Sequence, residues 1–163
     1  MMFQRALVAL LVASVASFVV PPSAADAGVR KTKQHLVKRA KSQMGTKYRY
    51  GGETPRRGFD CSGFTRWTFK KTISLPHSSM QQYKRKNRAK YRYVKKRSRL
   101  KRGDLVFFKT TKAKVGHVGM YIGKGKFIHA SSGAGKVTKS SVYDKYYYGP
   151  RFRGGVRVPQ LRR

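Results

Sequence analysis

The chain has 163 residues, a length that suits one domain, and it carries 39 Lys and Arg against 5 Asp and Glu, a formal charge of +34. Such a surface attracts polyanions in a salt-dependent way. The single cysteine excludes an intramolecular disulfide, so the thiol is a small buried apolar group, a cross-link to another chain, or a nucleophile.

The N-terminus reads as an address rather than as fold. MMFQR carries one positive charge, an apolar run fills residues 6–20, and PPSA and the triplet Ala25-Asp26-Ala27 follow. This is the order of a secretory signal peptide over 1–27, with cleavage expected near Ala27 and one domain at 28–163. The apolar run is shorter than the roughly 20 residues of a membrane span, so an exported protein without an anchor is expected. Export moves the expected polyanion away from nucleic acid and towards wall and envelope polymers.

Residues 28–34 read as a polar leader. Leu36, Val37, Ala40 and Met44 fall on one stripe and predict a helix over 32–44, stopped by Gly45. KYRYGGETPRRG, 47–58, is a loop with Gly and Pro breakers. Asp60 is a natural N-cap for a helix over 61–71, with Phe64, Trp67 and Thr68 facing inward. Pro76 follows, then a short helical turn at 78–83. Residues 84–102 hold 12 Lys or Arg among 19, with Tyr91, Tyr93 and Val94 interleaved. This segment is either a basic loop carrying a short strand or an exposed arm.

RGDLVFFK, 102–109, predicts a turn and a strand, and GHVGMYIG and KFIHAS two more strands around a Gly-rich turn. KSSVYDKYYYG is ambiguous, and FRGGVRV, 152–158, reads as a last edge strand. Helices precede antiparallel strands, which predicts an α+β fold with the helices packed on one side of the sheet.

A three-residue loop, Gly123-Lys124-Gly125, would pair Ile122 with Lys126. His129 then lies opposite Gly119, with His117 its diagonal neighbour at roughly 7–8 Å between Cα atoms. Both histidines share a face with Tyr121 and Ser131, while Val118, Met120, Ile122, Ile128 and Ala130 point into a core. A two-residue turn at Lys124-Gly125 would put the histidines on opposite faces.

Cys61 falls in the first turn of its helix, where free amides and the helix dipole favour an anion. A lowered thiol pKa is expected there. His117 is the natural base, His129 the group that holds its ring in the useful tautomer, and the Cys61 amide an oxyanion donor. His35 and His77 lack such context; the first reads as solvated and the second as packing. No C-x-x-C or H-x-x-x-H pair occurs, so neither a metal site nor a cofactor is expected.

YRYGG (48–52), DCSGF (60–64), RGDLVFF (102–108), GHVGMYIG (116–123) and FIHAS (127–131) follow in the order found in NlpC-type cysteine peptidases, which the chain resembles from about residue 32 to 158. The resemblance implies a compact papain-like fold and hydrolysis of peptidoglycan stem peptides, typically between γ-D-glutamate and diaminopimelate, by a wall-associated monomer. It makes Cys61 the nucleophile, His117 the base and His129 the orienting residue. Tyr48 matches a tyrosine that lines the site near the oxyanion, unless the ETPRRG stretch shifts that role to Tyr50. Asp60 and Ser62, flanking the cysteine, are placed on the substrate side. His77 stands after LP, where relatives often carry Arg. The family often adds wall-binding modules, and the cations of 84–102 are expected to replace one by gripping anionic envelope polymers. Three other readings stay open: amidase or acyltransferase chemistry by the same residues, a basic binding module that keeps the fold as scaffold, and nucleic-acid binding through stacked tyrosines.

Overall fold

The computed structural model describes residues 23–162. Most of the expected signal peptide therefore lies outside the described residues. The first helix, α1 (Ala24–Lys41), begins well before the apolar stripe and takes in the expected leader. Capping explains the extension. Ser23 Oγ accepts from the Asp26 amide at 3.2 Å, Asp26 occupies the first turn, and Lys38, Arg39 and Lys41 the last, the order of charge that a helix dipole favours. Only Leu36 and Ala40 of α1 are buried, so its early turns rest on the cap rather than on packing. The helix stops short of Met44, and Gly45, at φ +85°, turns the chain.

The loop that follows holds a small ribbon, β1 (Glu53–Thr54) against β2 (Gly58–Phe59). Next come α2 (Cys61–Phe69), close to its expected bounds, and α3 (Ser79–Lys84), each capped by the side chain before it, Asp60 and Ser78. The rest is β3 (Arg92–Val94), β4 (Leu105–Phe108), β5 (His117–Gly123), β6 (Lys126–Ser131), β7 (Lys136–Ser141), the four-residue α4 (Tyr148–Arg151) and β8 (Phe152–Arg157). These strands form one antiparallel sheet in the order β3-β8-β4-β5-β6-β7. FRGGVR is thus an interior strand, not an edge. The basic segment supplies the edge instead: β3 pairs Arg92 with Arg157 and Val94 with Gly155. Val94 is 4 % exposed and anchors that edge. The basic segment is accordingly a loop carrying a strand, and β7 takes the first three residues of the ambiguous stretch.

The β5–β6 hairpin reaches the expected face pattern by another route. Gly123 pairs with Lys126 across a two-residue turn, with φ +52° at Lys124 and +70° at Gly125, as a type I′ turn requires. Alone, this turn would send the histidines to opposite faces. An irregularity between Tyr121 and Gly123 resets the register, so Tyr121 meets Phe127 and Met120 meets Ile128. A bulge of this kind inserts one residue and restores the alternation beyond it.

The helices lie on one face of the sheet, with Leu36, Ala40, Phe64 and Phe69 packing on Val118, Met120, Ile128 and Ala130. The opposite face, expected to be purely chemical, carries a second core of Val106, Phe108, Tyr121, Phe127 and Val142, with Tyr148 and Phe152 packed on it. Both histidines therefore sit in a buried layer. The RGD turn is fixed by a buried ion pair: Arg157 Nε and Nη2 donate to the two oxygens of Asp104 at 2.8 Å each.

Candidate active site

Cys61 is the first residue of α2, and the Asp60 cap organises everything around it. Asp60 Oδ1 accepts from the Gly63 amide at 2.7 Å and from Ser62 Oγ at 2.9 Å. Its Oδ2 accepts from the Gly51 amide at 3.0 Å and from His77 Nε2 at 2.9 Å. One carboxylate thus ties the start of the helix to the YRYGG loop. Gly63 lets these parts approach: a Cβ there would lie 2.0 Å from the Gly52 carbonyl oxygen. His77, expected only to pack, bridges two carboxylates. Its Nδ1 is 3.4 Å from Glu53 Oε2, which also takes Arg66 Nη1 at 2.7 Å.

Ser62 is buried and spends its hydroxyl on Asp60. Tyr48 is held by its amide, which donates to the Gly135 carbonyl at 2.8 Å, and packs on the main core beside Cys61. Burial first, then the neighbouring charges of Cys61 and Asp60, raise its hydroxyl pKa. Tyr50 is 90 % exposed, so the tyrosine beside the thiol is Tyr48.

His117 opens β5, and the amide of the next residue, Val118, lies in hydrogen-bonding position to the Cys61 sulfur. His117 Nε2 is 2.9 Å from His129 Nδ1, with the rings perpendicular. His129 Nε2 continues to Ser140 Oγ on β7 at 3.0 Å. Phe127 stacks on His129 at 4.7 Å, a close approach that Gly119 permits, since a Cβ there would meet Phe127 at 2.6 Å and the His129 Cβ at 3.0 Å. Tyr148 covers the pair, its ring 5.9 Å from His117 and 5.1 Å from His129. Its hydroxyl, bonded to the Ser131 side chain, is pushed up to about 12, chiefly by burial. A cavity of about 220 Å³ opens here between His117, Ser131, Ser132, Tyr147 and Tyr148.

Burial sets the charge state. It pushes the Cys61 thiol up to about 11, against the opposing pull of the Val118, Ser62 and Cys61 amides. This reverses the expected lowering: the dipole and amides of the helix end are present, but desolvation of the thiolate outweighs them. Burial likewise brings His117 down to about 4 and, with the neighbouring His117, His129 to about 2. At neutral pH the resting site is a thiol and two uncharged imidazoles, so any thiolate must form together with an imidazolium.

Sequence reasoning missed Ser140, Tyr148 and the bridging role of His77. Ser140 was legible only once β7 was recognised: His129 pairs with Thr138, which puts Ser140 on the same face two residues on. Tyr148 sits in an irregular stretch with no periodic signal.

A family model described as NlpC/P60 family matches residues 45–156. Murein DD-endopeptidase MepH of Escherichia coli is 35% identical over 124 residues, 74% of this chain and 44% of that protein. Gamma-DL-glutamyl hydrolase of Bacillus subtilis is 37% identical over 152 residues, 87% of this chain and 35% of that protein. The chain therefore spans less than half the length of these two relatives. Among solved structures, peptidoglycan hydrolase RipB of Mycobacterium tuberculosis superposes with a TM-score of 0.64 at 30% identity, covering 86% of this chain and 73% of that one. Fold, motif order and these matches together show that the chain belongs to the NlpC/P60 family.

Proposed function

We propose that the chain is an exported cysteine peptidase that hydrolyses peptidoglycan stem peptides at the bond between γ-D-glutamate and diaminopimelate. The observation that carries the reading is the relay from His117 Nε2 to His129 Nδ1 and from His129 Nε2 to Ser140 Oγ, at 2.9 and 3.0 Å. With the His117 proton on Nε2, donated to His129, Nδ1 is left as the base for the thiol at the head of α2.

Cys61 Sγ attacks the scissile carbonyl carbon as its proton passes to His117, giving a tetrahedral oxyanion. The Cys61 amide, which a helix start leaves without an internal partner, donates to that oxyanion with Tyr48 beside it. The imidazolium of His117 protonates the departing amine, and the C–N bond breaks to leave a thioester. Water then gives a proton to His117 and its oxygen to the acyl carbon, which frees the carboxylate and restores the thiol. His129 keeps the ring aligned throughout, while Asp60 and Ser62, buried and bonded to each other, hold the head of α2 instead of facing substrate as expected.

The murein DD-endopeptidase among the relatives supports the wall-peptide class, and the γ-DL-glutamyl hydrolase supports a different bond. Digestion of purified murein followed by mass spectrometry separates them. The expected products carry a new γ-D-glutamyl carboxyl terminus and a new diaminopimelate amine. Cleavage at D-alanine would establish the DD bond, free sugar–lactyl termini an amidase, and an added amine a transferase. Cys61→Ala should abolish release at unchanged melting temperature; full activity in that variant would remove Cys61 as nucleophile.

A further inference from the structure

Two grooves, neither lined by Cys61 or His117, are lined by cations and by no carboxylate. The first, about 400 Å³, runs along the β3 edge between Arg92, Lys95, Lys96, Arg99 and Lys101, with Arg157 at its floor. Arg157 is already neutralised by Asp104, so the five others set the charge. The second, about 520 Å³, follows α1 between Arg30, Lys33, Lys38, Lys41 and Arg102. The grooves adjoin along the chain: Lys101 lines the first and the next residue, Arg102, lines the second. Neither groove shares a lining residue with the cavity at His117. Cations held this close repel one another, and an anion laid between them relieves that repulsion.

We propose that the joined grooves form one binding surface for a linear phosphodiester polymer without bases, read through its backbone charge alone. The tyrosines decide against nucleic acid, because base recognition on such a surface needs free aromatic faces. Tyr83 is 5 % exposed. Tyr91 packs on the core and lies under Arg85, whose Nη1 donates to its hydroxyl at 3.0 Å. Tyr93 sits edge-on to Tyr83 and under Lys86, and its hydroxyl donates to the Arg153 carbonyl at 2.9 Å. Tyr93 lines the first groove and is 39 % exposed, yet its ring is taken by Lys86 and by Gly154, where a Cβ would lie 2.5 Å from it, while Arg92, Lys95, Lys96, Arg99 and Lys101 stand exposed. The surface would hold the protein on an envelope polymer and leave the cysteine cleft open.

The test measures binding of the full chain to poly(glycerol phosphate) and to single-stranded DNA of matched charge, across a salt series. The groove variant is K95Q/K96Q/R99Q/K101Q; the control, K71Q/K112Q/K114Q/K124Q, removes the same number of exposed positive charges outside both grooves. The expected result is that the groove variant binds poly(glycerol phosphate) at least tenfold more weakly. For a flexible charged strand its slope of log K against log salt should also flatten by roughly 3, while the control changes little and melting temperatures stay equal. Equal weakening in both variants would make the attraction a property of net charge and overturn the site. DNA bound tenfold more tightly than the polymer, with the same mutational pattern, would overturn the choice of partner. Cleavage of soluble muropeptides is a separate readout, so loss of this proposal leaves the peptidase reading standing.

Discussion

The buried histidine pair makes a strong claim about acid stability. His117 is 9 % exposed and His129 0 %, and burial brings them down from 6.5 to about 4 and about 2. Both are neutral when folded and take up protons first in the unfolded chain. The unfolded state therefore binds more protons below pH 6.5, so their contribution is present above that value and is lost as pH falls towards the folded values. At pH 5, an imidazole at 6.5 unfolded and about 4 folded favours unfolding by a factor of about 30, or about 2 kcal/mol. The pair titrates as a unit and should cost about 4 kcal/mol, a large part of the roughly 5–15 kcal/mol that holds a domain together. Carboxylates remain largely ionised at pH 5, so the loss reports the imidazoles. Urea unfolding at pH 7, 6 and 5, at constant ionic strength, should show wild type losing several kcal/mol more than H117Q/H129Q. Parallel loss in the two proteins would refute the burial of two uncharged rings.

Ser140 is a positioning residue, because it reaches the reaction only through His129. Ser140→Ala should lower kcat about tenfold with little change in KM and steepen the acid limb of the pH profile, with Ser140→Thr restoring both; an unaltered pH profile would make Ser140 merely structural. Gly63→Ala drives a methyl group to 2.0 Å from the Gly52 oxygen. The resulting overpacking, roughly 1–3 kcal/mol, should exceed the gain of about 1 kcal/mol in helix propensity and lower both melting temperature and activity. A stability gain would mean that the loop yields.

The helix head and the two histidines were legible because each rests on a short-range rule. Asp60 followed by CSGF is a cap and a helix start, and alternation across residues 117–131 fixes which side chains share a face. The turn shows how far such rules reach. Residues 123–125 offer glycine at both ends, so two loop lengths satisfy the local chemistry, and the bulge between Tyr121 and Gly123 that reconciles them has no local signal. The α1 boundary was misplaced because an apolar stripe marks burial, whereas its first turns are held by Ser23 and Asp26. The thiol departs from expectation for a related reason: a helix dipole can be read from one segment, but the burial that outweighs it is set by the whole fold.

The charge of +34 and the neutral cleft have separable consequences. In the proposed mechanism, moving a proton from Cys61 to His117 creates one negative and one positive charge within the same buried site, with no change in the total. The potential of a distant basic surface is nearly equal at both atoms, so it helps the thiolate as much as it opposes the imidazolium. Salt screens that potential over about 8 Å at physiological strength, yet has little net effect to remove from the chemical step. Polymer binding in the grooves depends on the same potential directly and should fall by orders of magnitude over a tenfold rise in salt. Turnover of a small neutral muropeptide should accordingly keep its kcat within about twofold over a range of salt that abolishes retention on poly(glycerol phosphate). A kcat that falls in step with retention would place the cations at the cleft and undo the separation of the two surfaces.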